Sequence, residues 1–497
     1  MNKKFLAFDL GAESGRAIVG SFSNKKINIE ELHRFLNVPV KVSGSLHWDT
    51  LYLFREMKQG LISFRQKYGP GALESIGVDT WGVDYALIDK KGLMLGNPYH
   101  YRDKRTDGIM EEVFKRIRRE QIFKNTGIQF MQLNTIYQLF SAKLNYPHLF
   151  DVTDKLLFTA DLFNYFFSGA KVAEFTLSTT SQLYNPVEKN WSKVIFEKLG
   201  IPLNIMPEIV PPATTIGNLL PEICEETGIS EGVSVVVPAC HDTGCAVASV
   251  PAEKNTNWAF LSSGTWSLLG MEIDSPIIND KCLEYNFTNE GGVNNTFRFL
   301  HNIIGLWLLQ ECKRTWEKAG EKLTYPRITQ LARNSKPLVS LINPDDERFL
   351  KPQNMPSEIA GFCRETGQRV PKTKGEIVRC VLESLALKYR EVIEQLQILT
   401  GKQVEVLHII GGGINNKLLC QFTANAAKIP VIAGPAEATA TGNIIMQAIG
   451  KGLISSIEEG REFVRNSFEL AAYKPKDTTL WDEAYEKFKK IKKSSSS

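Results

Sequence analysis

The chain has 497 residues, 43% apolar and 23% charged, with 37 glycines and 22 prolines, which fits a globular protein of two to three domains and excludes collagen-like or broadly disordered readings. Fifty-nine basic and 55 acidic residues leave a net charge of +4, too little for a polyanion-binding surface, so nucleic acid is not an expected partner. The eight cysteines form no CxxC pair, the apolar stretch Phe5-Leu6-Ala7-Phe8 is far too short for a secretory leader, and no uncharged run reaches membrane-spanning length. The expected setting is cytoplasmic, with no membrane partner.

Phe5-Leu6-Ala7-Phe8 reads as a strand, Asp9 to Gly15 as a tight turn, and Arg16-Ala17-Ile18-Val19-Gly20 as a second strand. Such a segment is by itself an ordinary hairpin, though it also shows backbone N–H groups to a phosphate. The pattern recurs at residues 258–270, around Ser262-Ser263-Gly264-Thr265. Setting Gly11 against Gly264 places Asp9 opposite Ser262 and Ala12 opposite Thr265. Two such hairpins suggest related halves closing on one nucleotide, with the acidic copy suited to a metal and the hydroxyl-bearing copy to phosphate oxygens.

Between them, residues 75–89 give a strand–turn–strand pattern with a polar and aromatic middle, and 108–170 are of mixed helical character, with Asp161 in an aromatic run. An apolar strand at 233–238 leads into Ala239-Cys240-His241-Asp242-Thr243, and a domain boundary is expected within 251–255. A helix is predicted over 303–316, introduced by His301-Asn302, and another over 374–399. A strand at 406–410, three glycines at 411–413, a helix at 414–428, a strand at 430–433 and a core helix from 437 follow. The lysine-rich tail from 489 reads as a frayed terminus.

No GxxxxGK[ST] loop exists, which excludes P-loop chemistry. The Gly411-Gly412-Gly413 run imitates a dinucleotide fingerprint, but its sixth position is Asn416. Backbone lying flat against an adenine or ribose explains three glycines at least as well. His241-Asp242 follows an apolar strand, where α/β folds place their chemistry, and a carboxylate there can take a proton from an attacking hydroxyl. Asp242 reads equally as the cap of a helix beginning near Thr243. Cys240 and Cys245 fit small buried fillers better than metal ligands. Asp79, Trp81, Gly82 and Asp84 suit a polyol, or a half-buried strand. Asn302 is a helix cap or, with Gln310 two turns on, part of one cleft-facing helix side. The run 115–119 fits a solvated helix face.

Taken together, these motifs resemble the FGGY family of carbohydrate kinases over residues 4–475. Asp9-Leu10-Gly11-Ala12-Glu13-Ser14-Gly15-Arg16 matches the first phosphate loop, Asp79-Thr80-Trp81-Gly82-Val83-Asp84 a sugar-side motif, and Tyr101-Arg102-Asp103-Lys104-Arg105 an aromatic-x-Asp-x-Arg element. His241-Asp242-Thr243 matches the catalytic segment and Ser262-Ser263-Gly264-Thr265-Trp266-Ser267 the second phosphate loop. The resemblance implies an α/β, two-domain actin-like or ribonuclease H-like ATPase fold with its active site in the interdomain cleft. The implied domains are an N-terminal sugar-binding domain over 1–248, a C-terminal ATP-binding domain over 249–480, and a terminal helix and tail over 481–497.

The implied reaction is ATP-dependent phosphorylation of a ketose, L-rhamnulose at O1. L-fuculose or L-xylulose are the alternative acceptors, and an actin-like ATPase without sugar transfer is the more distant alternative. Asp242 is the implied proton acceptor. Gly82, His241, Asp242, Thr243 and Asn302 are the implied sugar contacts. Ala12, Glu13, Ser14, Gly15, Arg16, Gly264, Thr265, Gln310 and Gly412 are implied for ATP, and Asp9 for Mg²⁺. Two departures stand out. Thr423 and Ala427 occupy positions where some relatives carry paired cysteines, and Glu13 replaces a small residue, so its carboxylate is expected to face solvent or the metal.

Overall fold

The computed structural model describes residues 3–495, with side chains as far as Lys492. It divides into two compact units: residues 1–251, 272–299 and 438–468 form the first, and 252–271, 300–437 and 469–497 the second.

The first unit is built on a six-stranded sheet in the order Thr214–Asn218, Ser234–Val237, Leu73–Thr80, Lys4–Leu10, Ser14–Ser23, Lys26–Leu36. Lys4–Leu10 runs antiparallel to Ser14–Ser23 and parallel to Leu73–Thr80, so the expected first hairpin is present. Its continuous apolar run is explained by burial on both faces. The helix Ala438–Gly450 lies against Lys4–Leu10 and Leu73–Thr80, and Thr50–Tyr68 lies against the two strands beyond. Asp49 caps Thr50–Tyr68 by accepting from the Tyr52 amide, and Leu53, Met57, Leu61 and Phe64 give it one buried stripe. Phe5, Ala7, Ile18, Ala440, Ile444 and Ile445 share one apolar cluster.

The strand–turn–strand reading of 75–89 holds, with strands Leu73–Thr80 and Tyr85–Asp89, but the second strand pairs with Thr153–Phe158 rather than folding back on the first. The helical stretch 108–170 contains Ile109–Phe114, Arg119–Thr126, Thr135–Asn145 and Thr159–Ser168, interrupted by that strand. The basic run 115–119 is mostly exposed, as expected, but it turns between two helices rather than lying on one face.

The other large sheet has seven strands in the order Thr288–Gly291, Phe297–Ile304, Trp266–Ile273, Trp258–Ser263, Val406–Ile410, Val431–Ala433, Ala471–Tyr473. The second expected hairpin is present, with Leu261 opposite Leu269 and Ser263 opposite Ser267. The long helix Lys374–Thr400 begins in a capping box between Thr373 and Glu376.

Two expectations fail here. Residues 303–316 are not one helix: Phe297–Ile304 is a strand, and the helix is Trp307–Lys318. The β-branched Ile303-Ile304 completes a run buried along nearly its whole length, which suits a strand between neighbours rather than a helix face. Asn302 is therefore neither a helix cap nor on one helix side with Gln310. The tail is not frayed over 489–492 either. It belongs to the helix Thr478–Ser495, where Lys492 reaches both Glu391 oxygens at 2.7 and 2.8 Å; residues 496–497 lie outside the described residues. All eight cysteines are free and buried, consistent with Cys240 and Cys245 as core fillers. Among the described residues no helix is long and apolar enough to cross a membrane.

Candidate active site

In the first unit, strand register assembles the acidic groups. Asp9 pairs with Asp79 across the parallel strands, and Thr80 pairs with His241 beyond the end of Ser234–Val237. Asp9, Asp79 and His241-Asp242 thus meet at the C-terminal ends of three parallel strands, where open α/β sheets present their chemistry. Arg16, opposite Asp9 in the hairpin, binds its carboxylate at 2.5 Å. Burial pushes the Asp79 carboxyl well above the usual carboxylate range, and the Asp9 charge adds to it. A hydrogen bond from Asn443 pulls it back, Asp242 raises it again, and Arg16 lowers it.

Asp242 opens the short helix Asp242–Ala248, and His241 rather than Asp242 occupies the cap position. The Asp242 Oδ1 accepts from the Thr243 amide at 2.5 Å and the Thr243 hydroxyl at 3.1 Å, and its side chain is about a third exposed. Of the two readings of this residue, the helix cap does not hold, since His241 takes the cap position and Asp242 is itself the first helical residue, its carboxylate accepting from its immediate neighbour. The preceding loop is held from below. Glu174 Oε2 accepts from the Cys240 amide at 3.1 Å, and Thr176 Oγ1 accepts from the His241 amide at 3.0 Å. Burial raises the Glu174 carboxyl to about 7 against these hydrogen bonds.

Beside this loop sits Gly82. A Cβ there would lie 3.1 Å from Thr180 Oγ1 and 3.4 Å from His241 Nε2, so a glycine is what leaves the His241 ring edge open. The next residue, Val83, has φ +70°, and the Asp84 amide donates back to the Gly82 carbonyl at 3.0 Å. This is a γ-turn of the rare, strained hand. It persists because its surroundings fix it: the Val83 carbonyl accepts from Thr135 Oγ1 at 2.7 Å. The Asp84 carboxylate accepts from both Trp48 and Trp81 indoles, at 2.6 and 3.0 Å, and from Gln138 at 2.8 Å. The turn also explains why Tyr85–Asp89 leaves the main sheet. Asp84 thus organises an aromatic stack of Trp48 with Trp81 and His100, at centroid distances of 4.0 and 4.2 Å, and its acceptor capacity is spent there rather than on a ligand.

In the second unit, the hairpin turn at Gly264-Thr265 is tied to the next helix through its carbonyls. Leu306 donates to Gly264, and Gly305 and Trp307 donate to Thr265, at 3.0 to 3.2 Å. That helix carries Gln310, whose Oε1 is buried without a hydrogen-bond partner. The three glycines follow the strand Val406–Ile410, and a Cβ on Gly413 would fall 2.0 Å from Ser263 Oγ. The glycine run therefore seats itself on the second hairpin, and Gly412 has nothing within 4 Å of where its Cβ would be. The structure thus brings Gly264, Thr265, Gln310 and Gly412 into one neighbourhood of elements. Asn302 stands on the strand leading to them, partly buried.

The first loop is shaped in the same way. Asn37 ties its carbonyls, with Nδ2 donating to Gly11 at 2.9 Å and its amide to Glu13 at 3.0 Å. Glu13 is exposed, in keeping with the solvent-facing alternative expected for its carboxylate. Among the described residues no three His, Cys, Asp or Glu side chains converge to hold a metal unaided. The cluster nevertheless suits a hard divalent cation taken with phosphate oxygens: Asp79 Oδ1 is buried without a hydrogen-bond partner, and Asp9 and Asp242 both raise the Asp79 carboxyl.

The sequence motifs hold His241, Asp242, Thr243, Gly82 and the two loops, while Arg298, Glu290, Glu174 and Asn443, which bond or lie against these groups and Asp79, were not anticipated from sequence. Arg298 is 0% exposed and donates from Nη2 to His241 Nδ1 at 3.0 Å. Neither it nor Asn443, which bonds Asp79 Oδ2 at 2.6 Å, lies in a motif, and both are far from their partners along the chain. A charged residue inside the apolar strand Phe297–Ile304 was the one available signal.

Family models match both halves: the N-terminal domain of the FGGY family of carbohydrate kinases over residues 4–248, and its C-terminal domain over 259–450. The chain is 43% identical to a rhamnulokinase of Bacteroides thetaiotaomicron over 98% of this chain and 99% of that protein. It is 40% identical to one of Bacillus subtilis over 95% and 96%. Among solved structures, a gluconate kinase and a xylulose kinase, both from Lactobacillus acidophilus, match 99% of this chain and 98% of theirs at TM-scores of 0.82 and 0.81. Their identities of 14% and 15% make this a likeness of two-domain α/β fold. From its full-length relatives and both family models, the chain belongs to the FGGY family of carbohydrate kinases.

Proposed function

We propose that the protein transfers the γ-phosphoryl group of ATP to O1 of L-rhamnulose, giving L-rhamnulose 1-phosphate and ADP, in L-rhamnose catabolism. One observation carries the reading: a chain 43% identical to a rhamnulokinase over nearly its whole length keeps a partly exposed carboxylate, Asp242, at the strand ends beside Gly82 and His241. Asp242 accepts the O1 proton as that oxygen attacks phosphorus, and Thr243 holds the carboxylate in place. Gly82, His241 and Thr243 bind the sugar, with the open ring edge of His241 as a polar contact.

ATP binding is assigned to Gly264, Thr265, Gln310 and Gly412, whose open Cβ side admits flat contact with adenosine. The first loop, from Ala12 to Arg16, offers backbone amides and a guanidinium to phosphate. Asp9 would hold Mg²⁺, which neutralises charge on phosphate oxygens when bound. The near-neutral net charge and the sugar and nucleotide substrates fit a small-molecule enzyme of the cytoplasm.

The test is ADP release across a panel of ketoses with a no-sugar control. L-Rhamnulose is expected to give the highest kcat/KM. A higher value for L-fuculose or L-xylulose would replace the acceptor, and equal ADP release without sugar would replace the kinase by an ATPase.

A further inference from the structure

His241 is placed between two kinds of partner. At Nδ1 it meets Arg298 Nη2 at 3.0 Å and, further off, Glu290 Oε2 at 3.4 Å. At Nε2 it faces Asp242 Oδ1 at 3.5 Å and the open side of Gly82. Arg298 is sealed from solvent. Its Nε donates to the Gly291 carbonyl at 2.7 Å, its Nη2 lies 3.3 Å from Glu290 Oε2, and its Nη1 is buried without a hydrogen-bond partner. The guanidinium is thus anchored by backbone and charge rather than by the histidine it touches.

A guanidinium has donors and no acceptor. A contact at 3.0 Å between Arg298 and Nδ1 therefore requires the Nδ1 lone pair, and the ring proton must sit on Nε2. Without Arg298, Glu290 would be the nearest polar group to Nδ1. A carboxylate there favours the opposite arrangement, with the proton on Nδ1 and a lone pair turned toward Asp242. Two electron-rich groups, Nε2 and the Asp242 carboxylate, would then face each other where a sugar hydroxyl is to be held. The polarity of the His241 edge beside Gly82 is decided by which of the two partners controls Nδ1.

We propose that Arg298 is a positioning residue that fixes His241 as the Nε2–H tautomer, so that the ring presents a hydrogen-bond donor toward Asp242 and the bound sugar. The sugar half of this statement rests on the function proposed above; the tautomer does not. With Nε2–H donating, a substrate hydroxyl between the two side chains can accept from His241 while giving its own proton toward Asp242. Such an arrangement sets the direction of that proton without any charge on the imidazole.

The experiment is ¹⁵N NMR of the full-length protein labelled at histidine, with the His241 signals assigned from His241→Asn. The wild type is expected to show a protonated Nε2 and an unprotonated, hydrogen-bond-accepting Nδ1; a protonated Nδ1 in the wild type overturns the proposal with no variant needed. Arg298→Met should switch the proton to Nδ1 and lower kcat with sugar at least about tenfold, with KM for ATP unchanged. Glu290→Gln, nearly isosteric and so the safer variant to fold, should leave the tautomer as it is. A switch on Glu290→Gln would mean that Glu290 sets it instead. Failure of the sugar reading would appear separately, as a correct tautomer in a protein inactive on ketoses.

Discussion

Asn443 donates a 2.6 Å hydrogen bond to Asp79 Oδ2 across 364 residues of chain, both groups fully buried. It steadies a carboxyl that burial and two neighbouring acids make costly to ionise. Replacing Asn443 by Leu removes the donor and leaves a buried acceptor. We expect a loss of about 2 kcal/mol, seen as a fall in Tm of several degrees. An unchanged Tm would show that the bond is not holding the strand end.

Asp242→Asn should lower kcat by about 10² to 10⁴ while keeping Tm near that of the wild type. The side chain is partly exposed and its hydrogen bonds go to the adjacent Thr243, so little of the fold depends on its charge. Near-normal turnover would remove it as the proton acceptor.

Gly82→Ala adds a methyl 3.1 Å from Thr180 Oγ1 and 3.4 Å from His241 Nε2. KM for sugar is expected to rise about tenfold with KM for ATP unmoved. A rise in KM for ATP instead would place Gly82 on the nucleotide side.

Thr265→Val and Gln310→Ala address the other substrate. Each should raise KM for ATP about fivefold, the worth of roughly one hydrogen bond, with less effect on sugar. Steady-state kinetics with each substrate varied in turn separates the two outcomes.

Glu174 offers a pH test. Its carboxyl is raised from 4.5 to about 7, chiefly by burial. The folded protein holds this proton where the unfolded chain has released it, so the stability it contributes is full below pH 4.5 and lost as pH climbs to about 7. The whole effect is on the order of 3 kcal/mol. Glu174→Gln does not titrate, so its Tm relative to the wild type should climb between pH 5 and 7 and then level. A difference that stays flat with pH would contradict the raised carboxyl.

The parts of this fold visible in sequence are those encoded locally. Both hairpins announce themselves because strand, glycine turn and strand lie within about fifteen residues, and the register of each follows from its own turn. The long helix Lys374–Thr400 carries its own stripe and capping box. What was hidden depends on partners distant in sequence. Ile303-Ile304 reads as helix until neighbouring strands bury it, and Arg298 reads as a lone charge until the fold sets it against His241. Asp84 looks like a sugar ligand until two indoles claim its carboxylate.

The return of residues 438–468 to the first unit has a consequence for how the protein is made. Ile444 and Ile445 share a cluster with Phe5, Ala7 and Ile18, and Gln447 donates to the Leu6 carbonyl at 3.1 Å. During synthesis the opening strands leave the ribosome hundreds of residues before the helix that covers them. For that interval they carry a bare apolar face, the kind of surface that recruits holding chaperones or aggregates. A chain broken off before residue 438 would keep every residue proposed here to touch the sugar and still lack the wall behind them.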